Sequence, residues 1–289
     1  ARPTKEEVRG LPQVAGCYFK QLDILDVDEG DTLIRRKKGK ADQQLQQILI
    51  PEDKKIQKEV FKWSHAHPSA GHFGVEATVA RAQLKFYWPG MYANLKAEVA
   101  ACEVCLAKQQ KVGTHAGEHQ PRKHGYPGQV LYVDLVGPMP KSHRDNLFIC
   151  TMQDSFSKFV SAVMIPCKEA PVVANAVLEE WITKFGCPER IHTDQGTEFK
   201  NKLWKDLMDR LQIAKTETPP YNPQSNLVER FHRCLNAILR CYIERQDRDW
   251  ESCIPMACFA YNTKINSTTG VTPFEAWMGR PAKLPIDLI

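Results

Sequence analysis

From residue 130 onward, apolar runs of strand length give way to longer amphipathic ones. Val130–Val136, Leu147–Met152 and Phe159–Ile165 are nearly continuous in apolar residues, as expected of strands covered on both faces. Pro171–Phe185 then predicts a helix, Arg190–Thr193 a strand, Phe199–Leu211 a helix and Ile213–Glu217 a strand, with two more helices after it. Strands first and then alternating helix and strand predict an α/β fold, a mixed sheet covered by helices. Upstream, Val75–Trp88 and Met91–Ala101 read as two helices joined by Pro89-Gly90. Residues 1–58 hold shorter strand-like runs, Thr32–Ile34 and Leu45–Ile50, on either side of a basic turn, Arg35–Lys40. Lys111–Gly128 is rich in Gly, His, Pro and charge, a linker composition.

Three carboxylates interrupt this pattern. Asp134 lies inside the run Val130–Val136, Asp194 ends Arg190–Thr193, and Glu229 follows Tyr221-Asn222-Pro223-Gln224-Ser225-Asn226 and opens a helix. A carboxylate on a buried strand is costly unless it holds something positive. Three that converge on one sheet edge suit two Mg²⁺ or Mn²⁺ ions, which take oxygen ligands and clamp both oxygens of a displacement at phosphorus. Behind Glu229, the residues Val228, Phe231, Leu235, Ile238 and Tyr242 form one apolar helical stripe. Glu229, Arg233, Asn236 and Arg240 repeat the rhythm on another face, with Arg233 a candidate phosphate contact.

A second constellation precedes the core. Three histidines, His65, His67 and His72, lie about a helical hairpin ahead of Cys102-Glu103-Val104-Cys105. A Cys-x-x-Cys pair with two histidines reads as a tetrahedral zinc site, and no βαβ setting favours a redox pair instead. His67 and His72 have the tighter spacing. So short a unit buries little core, so its metal would supply much of its folding energy.

Several of these stretches resemble integrases of retroviruses and gypsy-type LTR retrotransposons. In the core they are Tyr132-Val133-Asp134-Leu135-Val136-Gly137-Pro138, His192–Phe199, and Tyr221–Ser225 leading to Val228-Glu229-Arg230-Phe231. Upstream they are Gly71-His72-Phe73-Gly74, Thr78, Tyr87–Met91 and Cys102–Cys105. The resemblance covers nearly the whole chain. It implies an RNase H-like catalytic core at 129–289, after an N-terminal extension with a β-hairpin at 1–58, an HHCC zinc-binding domain at 59–112 and a linker at 113–128. It implies one structural Zn²⁺ on His65, His72, Cys102 and Cys105, preferring His65 over His67, and two Mg²⁺ or Mn²⁺ on Asp134, Asp194 and Glu229. It also implies an enzyme, a polynucleotidyl transferase that trims the 3′ ends of retroelement DNA and joins them to target DNA. Tyr221, Gln224, Arg230 and Arg233 are candidate DNA contacts. The partners would be double-stranded element ends, target DNA and further copies of the chain, a tetramer by resemblance, acting in the nucleus after release from a polyprotein.

The chain departs from the family in one respect. Between Asp194 and Glu229 it is one residue shorter, and the family's glycine has no counterpart between Asn226 and Leu227. Glycine reaches positive φ without steric cost, so its loss stiffens an active-site loop. A DNA-binding member of the family without catalysis is therefore the competing reading. A nuclease of the RNase H type would explain the carboxylates but not the zinc motif.

Composition changes this picture little. A length of 289 residues suits two or three domains. A net charge of +5 permits nucleic-acid binding without requiring it. The ten cysteines show no disulfide framework, as in a reducing compartment. No run approaches the ~20 apolar residues of a membrane-spanning helix, so no membrane role is expected.

Overall fold

The computed structural model describes residues 13–19, 21–38, 44–106, 125–217, 231–239 and 250–288. They fall in two compact units, Ala1–Ala107 with Leu284–Ile289, and Lys108–Lys283. In the first unit, helix α1 (Gln13–Phe19) precedes an antiparallel sheet of β1 (Leu25–Val27), β2 (Leu33–Lys38) and β3 (Gln44–Leu49). The basic run expected as a turn thus lies largely in β2. Its long side chains find partners across the sheet: the Arg35 guanidinium sits 4.0 Å over the Tyr87 ring and donates to Gln47 Oε1 at 3.0 Å, and Arg36 pairs with Asp26.

Helix α2 (Lys54–Phe61) starts at Asp53, whose carboxylate caps Lys55 N at 2.7 Å. It runs into a π turn at Lys62–Ala66 and a 3₁₀ turn at Pro68–Ala70 before helix α3 (Val75–Ala82). The helix expected to reach Trp88 stops earlier. Phe86–Tyr87 forms β4, parallel to β3, and Ile48 N and Ile50 N donate to Lys85 O and Tyr87 O at 2.6 and 2.9 Å. The sheet edge outcompetes the helix for these backbone groups, and the two aromatic side chains suit a strand. Helices α4 (Met91–Ala100) and α5 (Glu103–Leu106) complete the unit.

The second unit is built on β5 (Val130–Val136), β6 (Phe148–Asp154), β7 (Val160–Ile165), β8 (Arg190–Thr193) and β9 (Ala214–Glu217), in the order β7-β6-β5-β8-β9. Short connections make β5–β6 and β6–β7 antiparallel. Helical crossovers make β5–β8 and β8–β9 parallel: α6 (Ala170–Val177), carried through a π turn to Phe185, and α7 (Lys202–Arg210). One core joins Leu131, Val133, Met152 and Ile191 of the sheet to Val177, Trp181, Trp204 and Met208 of these helices. The helix at 231–239 (α8) buries Phe231, Leu235 and Ile238, the described part of the stripe read from the sequence. Helices α9 (Trp250–Asn262) and α10 (Pro273–Met278) come next.

Two local features fix the sheet's strands against their neighbours. Asn262 of α9 grips β7 with both amide atoms, Oδ1 accepting from Val160 N at 2.9 Å and Nδ2 donating to Val160 O at 2.8 Å. Gly137, at φ 146°, ends β5 where the chain presses on its neighbour. A Cβ there would meet Phe148 Cδ1 at 2.7 Å and Leu147 O at 2.8 Å, so any side chain would displace the strand end that carries Asp134.

Candidate metal centres

The His/Cys centre is assembled by local backbone features. His65 sits in the π turn, a local widening that often marks functional sites. Gly71 and His72 then both take positive φ, 69° and 49°, a conformation that is uncommon for histidine. The reversal lets His72 N donate to His65 O at 3.1 Å, which joins the two histidines through the backbone.

Their side chains meet the cysteine pair. His65 Nε2 is 3.3 Å from Cys105 Sγ, and His72 Nδ1 is 3.5 Å from Cys102 Sγ and 3.9 Å from Cys105 Sγ. The four ligand atoms all lie within 4.8 Å of one another, the one such group of three or more His, Cys, Asp or Glu among the described residues. Bonds of about 2.3 Å to sulfur and about 2.0–2.1 Å to nitrogen give a zinc tetrahedron edges of about 3.3–3.8 Å. The donor set and its spacing therefore fit Zn²⁺.

The buried His65 ring is oriented from behind. Its Nδ1 is 3.0 Å from Thr78 Oγ1, which donates to Phe73 O or Gly74 O at 3.1 and 3.2 Å. A metal on Nε2 leaves Nδ1 protonated, so the chain of donors runs from His65 to Thr78 to the backbone. His67 faces elsewhere: its Nδ1 is 2.7 Å from Ser69 Oγ and its ring lies 4.4 Å from that of Trp63. Arg81 braces the same loop, donating to Ser69 O at 2.6 Å, and burial pushes its pKa down to about 10.

The carboxylate centre depends on strand register. Parallel β5 and β8 pair Val130 with Arg190, Leu131 with Ile191 and Tyr132 with His192. Asp134 lies two residues past the last of these pairs on β5, and Asp194 directly follows Thr193, the last residue of β8; neighbouring strands run ~4.8 Å apart. Each carboxylate is partly exposed and anchored: Asp134 Oδ1 accepts from Leu135 N at 2.8 Å, and Asp194 Oδ1 from Gly196 N at 3.0 Å. Two oxygen-donor side chains at neighbouring strand ends suit a hard divalent cation. Glu229, Tyr221, Gln224 and Arg230 lie outside the described residues. Arg233 is exposed on α8.

Beside Asp134 the structure adds His232 and Thr151, neither singled out in the sequence. His232 Nδ1 lies 3.9 Å from Asp134 Oδ2, its Nε2 is 2.8 Å from Thr151 Oγ1, and burial pushes its pKa down to about 4. A signal for His232 existed in the sequence: it comes three positions after Glu229, a spacing that shares a helix face. Thr151 had none, because only the β5–β6 register sets it opposite Asp134.

Two protein families match the parts of the chain that hold these residues. The family described as Integrase zinc binding domain matches residues 52–111, and Integrase core domain matches 125–223. The chain is 31% identical over 237 residues to the retrovirus-related Pol polyprotein from transposon 412 of Drosophila melanogaster, covering 81% of this chain and 19% of that protein. It is 27% identical over 277 residues to the transposon Tf2-3 polyprotein of Schizosaccharomyces pombe, covering 93% of this chain and 21% of the polyprotein. It thus spans about a fifth of the length of these relatives. Among solved structures, the simian T-cell lymphotropic virus intasome in complex with PP2A regulatory subunit B56 gamma shares the fold, with TM-score 0.52 at 16% identity over 76% of this chain and 74% of that one. With a zinc-binding domain ahead of an RNase H-like mixed-sheet core, this chain belongs to the integrase family of retroviruses and LTR retrotransposons.

Proposed function

We propose that the chain is a DNA integrase that trims the 3′ ends of retroelement DNA and joins them to target DNA. The observation that supports this reading is the parallel pairing of β5 with β8, in which Asp134 and Asp194 each come two residues after the Tyr132–His192 pair. Glu229 is the third carboxylate by its place in the sequence. Asp134, Asp194 and Glu229 would hold two Mg²⁺ or Mn²⁺ ions, which would supply Lewis acidity for displacement at phosphorus. Asp134 and Asp194 neutralise that charge and fix its position, and the strands under them keep the geometry from relaxing. In joining, the 3′-oxygen of an element end forms a bond to a target phosphorus while the bond from that phosphorus to its own 3′-oxygen breaks. No side chain becomes covalently attached to DNA, so no nucleophilic residue is required.

The upstream centre has a structural role in this reading. His65, His72, Cys102 and Cys105 hold one Zn²⁺ and with it the fold of the domain we place at 59–112, between the extension at 1–58 and the linker at 113–128. The core at 129–289 works on both DNAs, with Tyr221, Gln224, Arg230 and Arg233 as contacts. It does so as a multimer in the nucleus, after release from a polyprotein.

Asp194→Asn keeps the side-chain volume and removes one charge. It should lower Mg²⁺-dependent joining of element-end duplexes to plasmid DNA by at least ~10³-fold, with an unchanged circular dichroism spectrum. Joining within tenfold of the parent chain would sink the assignment.

A further inference from the structure

His232 is about 17% exposed at its side chain and packs against the strand pair that carries Asp134. Its Nε2 is 2.8 Å from Thr151 Oγ1, and that oxygen is 2.9 Å from the backbone carbonyl of Asp134. A carbonyl only accepts, so the single Thr151 hydroxyl proton goes to Asp134. Thr151 Oγ1 must then accept from His232, which fixes the imidazole as the Nε2–H tautomer. In the neutral ring its Nδ1 then carries a lone pair, 3.9 Å from Asp134 Oδ2. Two acceptors cannot bond each other, and at this separation a single donor between them reaches both.

Direct coordination by Nδ1 does not fit. Neighbouring ligands of an octahedral cation with bonds of about 2.0–2.1 Å lie about 3 Å apart, closer than the 3.9 Å seen here. Imidazole nitrogen is also a poor match for Mg²⁺. A water about 2.8 Å from both Nδ1 and Oδ2 spans the gap with an angle of about 90° at its oxygen, within reach of its two O–H bonds.

We propose that His232 is a positioning residue of the carboxylate centre. Its Nδ1 accepts a hydrogen bond from a water in the hydration shell of the cation at Asp134, and Thr151 holds the ring in the tautomer that allows it. This rests on the reading of Asp134 as a cation ligand and adds to it a partner that the carboxylates alone do not supply. The imidazole orients both the water and the carboxylate.

Side-chain isosteres separate the two ring nitrogens. Asn places its amide oxygen where Nδ1 sits, whereas Gln reaches the Nε2 position and leaves no acceptor at Nδ1. Mn²⁺ affinity is read from the free-ion electron paramagnetic resonance signal of the zinc-loaded full chain without DNA. His232→Gln should weaken Mn²⁺ binding about tenfold or more. His232→Asn should stay within about twofold, in line with a retained acceptor. Thr151→Val, which keeps the shape of the buried residue, should shift affinity in the direction of the Gln variant, and Thr151→Ser should not. Equal weakening by Asn and Gln, or no weakening by Gln and Val, overturns the proposal. Asp194→Asn separates this from the underlying reading: if it leaves Mn²⁺ binding intact, the carboxylate centre itself is misassigned. If it abolishes binding while Gln and Asn behave alike, only the role of His232 falls.

Discussion

At the scale of single residues, His232 links the carboxylate centre to stability. Burial favours its neutral form and pushes its pKa from 6.5 down to about 4, and Asp134 at 3.9 Å is too far to offset that. Because the fold prefers the neutral form, the contribution of His232 is complete above the unfolded value near 6.5 and is lost as pH falls through 6.5 towards 4. That gap of about 2.5 is worth roughly 3 kcal/mol over the whole span. Urea midpoints at pH 7 and pH 4 should therefore drop further for the parent chain than for His232→Gln, because the carboxylates titrate in both. Equal drops would show that the buried imidazole does not couple to folding.

At the scale of elements, the zinc-binding unit is the part most dependent on a ligand. Its short helices α3 to α5 frame the His/Cys group, and His65 and His72 sit on a π turn and a positive-φ residue that need external support. Chelation should unfold residues 59–112 with proton uptake by the thiolates, while β5 to β9 keep their hydrogen-exchange protection. Thr78→Val keeps the buried shape but deletes the acceptor for His65 Nδ1–H. It should raise the zinc dissociation constant by about 10–100-fold in a competition titration against a chromophoric chelator. An unchanged constant would mean that the ring is held by packing alone.

At the scale of the whole molecule, the charge of the chain is modest at +5. In the proposed reaction one copy would offer little basic surface for two element ends and a target duplex, so the proposal predicts that assembly on DNA pools several copies. Light scattering of the chain with end-mimicking duplexes should show a species of several chains, and its formation should weaken steeply between about 50 and 200 mM salt. An active complex with the mass of one chain would refute this. Among the described residues, no helix is long and apolar enough to cross a membrane.

The sequence by itself determined the features that local chemistry and periodicity set. Runs covered on both faces read directly as β5 to β7, and the alternation after them gave the mixed sheet. Asp134 inside its apolar strand, Asp194 just after another and the Cys-x-x-Cys pair stood out because each is costly or idle without a ligand. Tertiary structure decided the features that depend on register and competition. Phe86–Tyr87 left its helix because β3 offered a sheet edge, and the basic run became strand because Tyr87, Gln47 and Asp26 lie across from it. His65 rather than His67 meets the cysteines because a π turn and two positive-φ residues turn the backbone between them, which no spacing rule encodes. Thr151 reaches Asp134 only through hairpin pairing of β5 with β6, where one residue of slip would send its side chain to the opposite face.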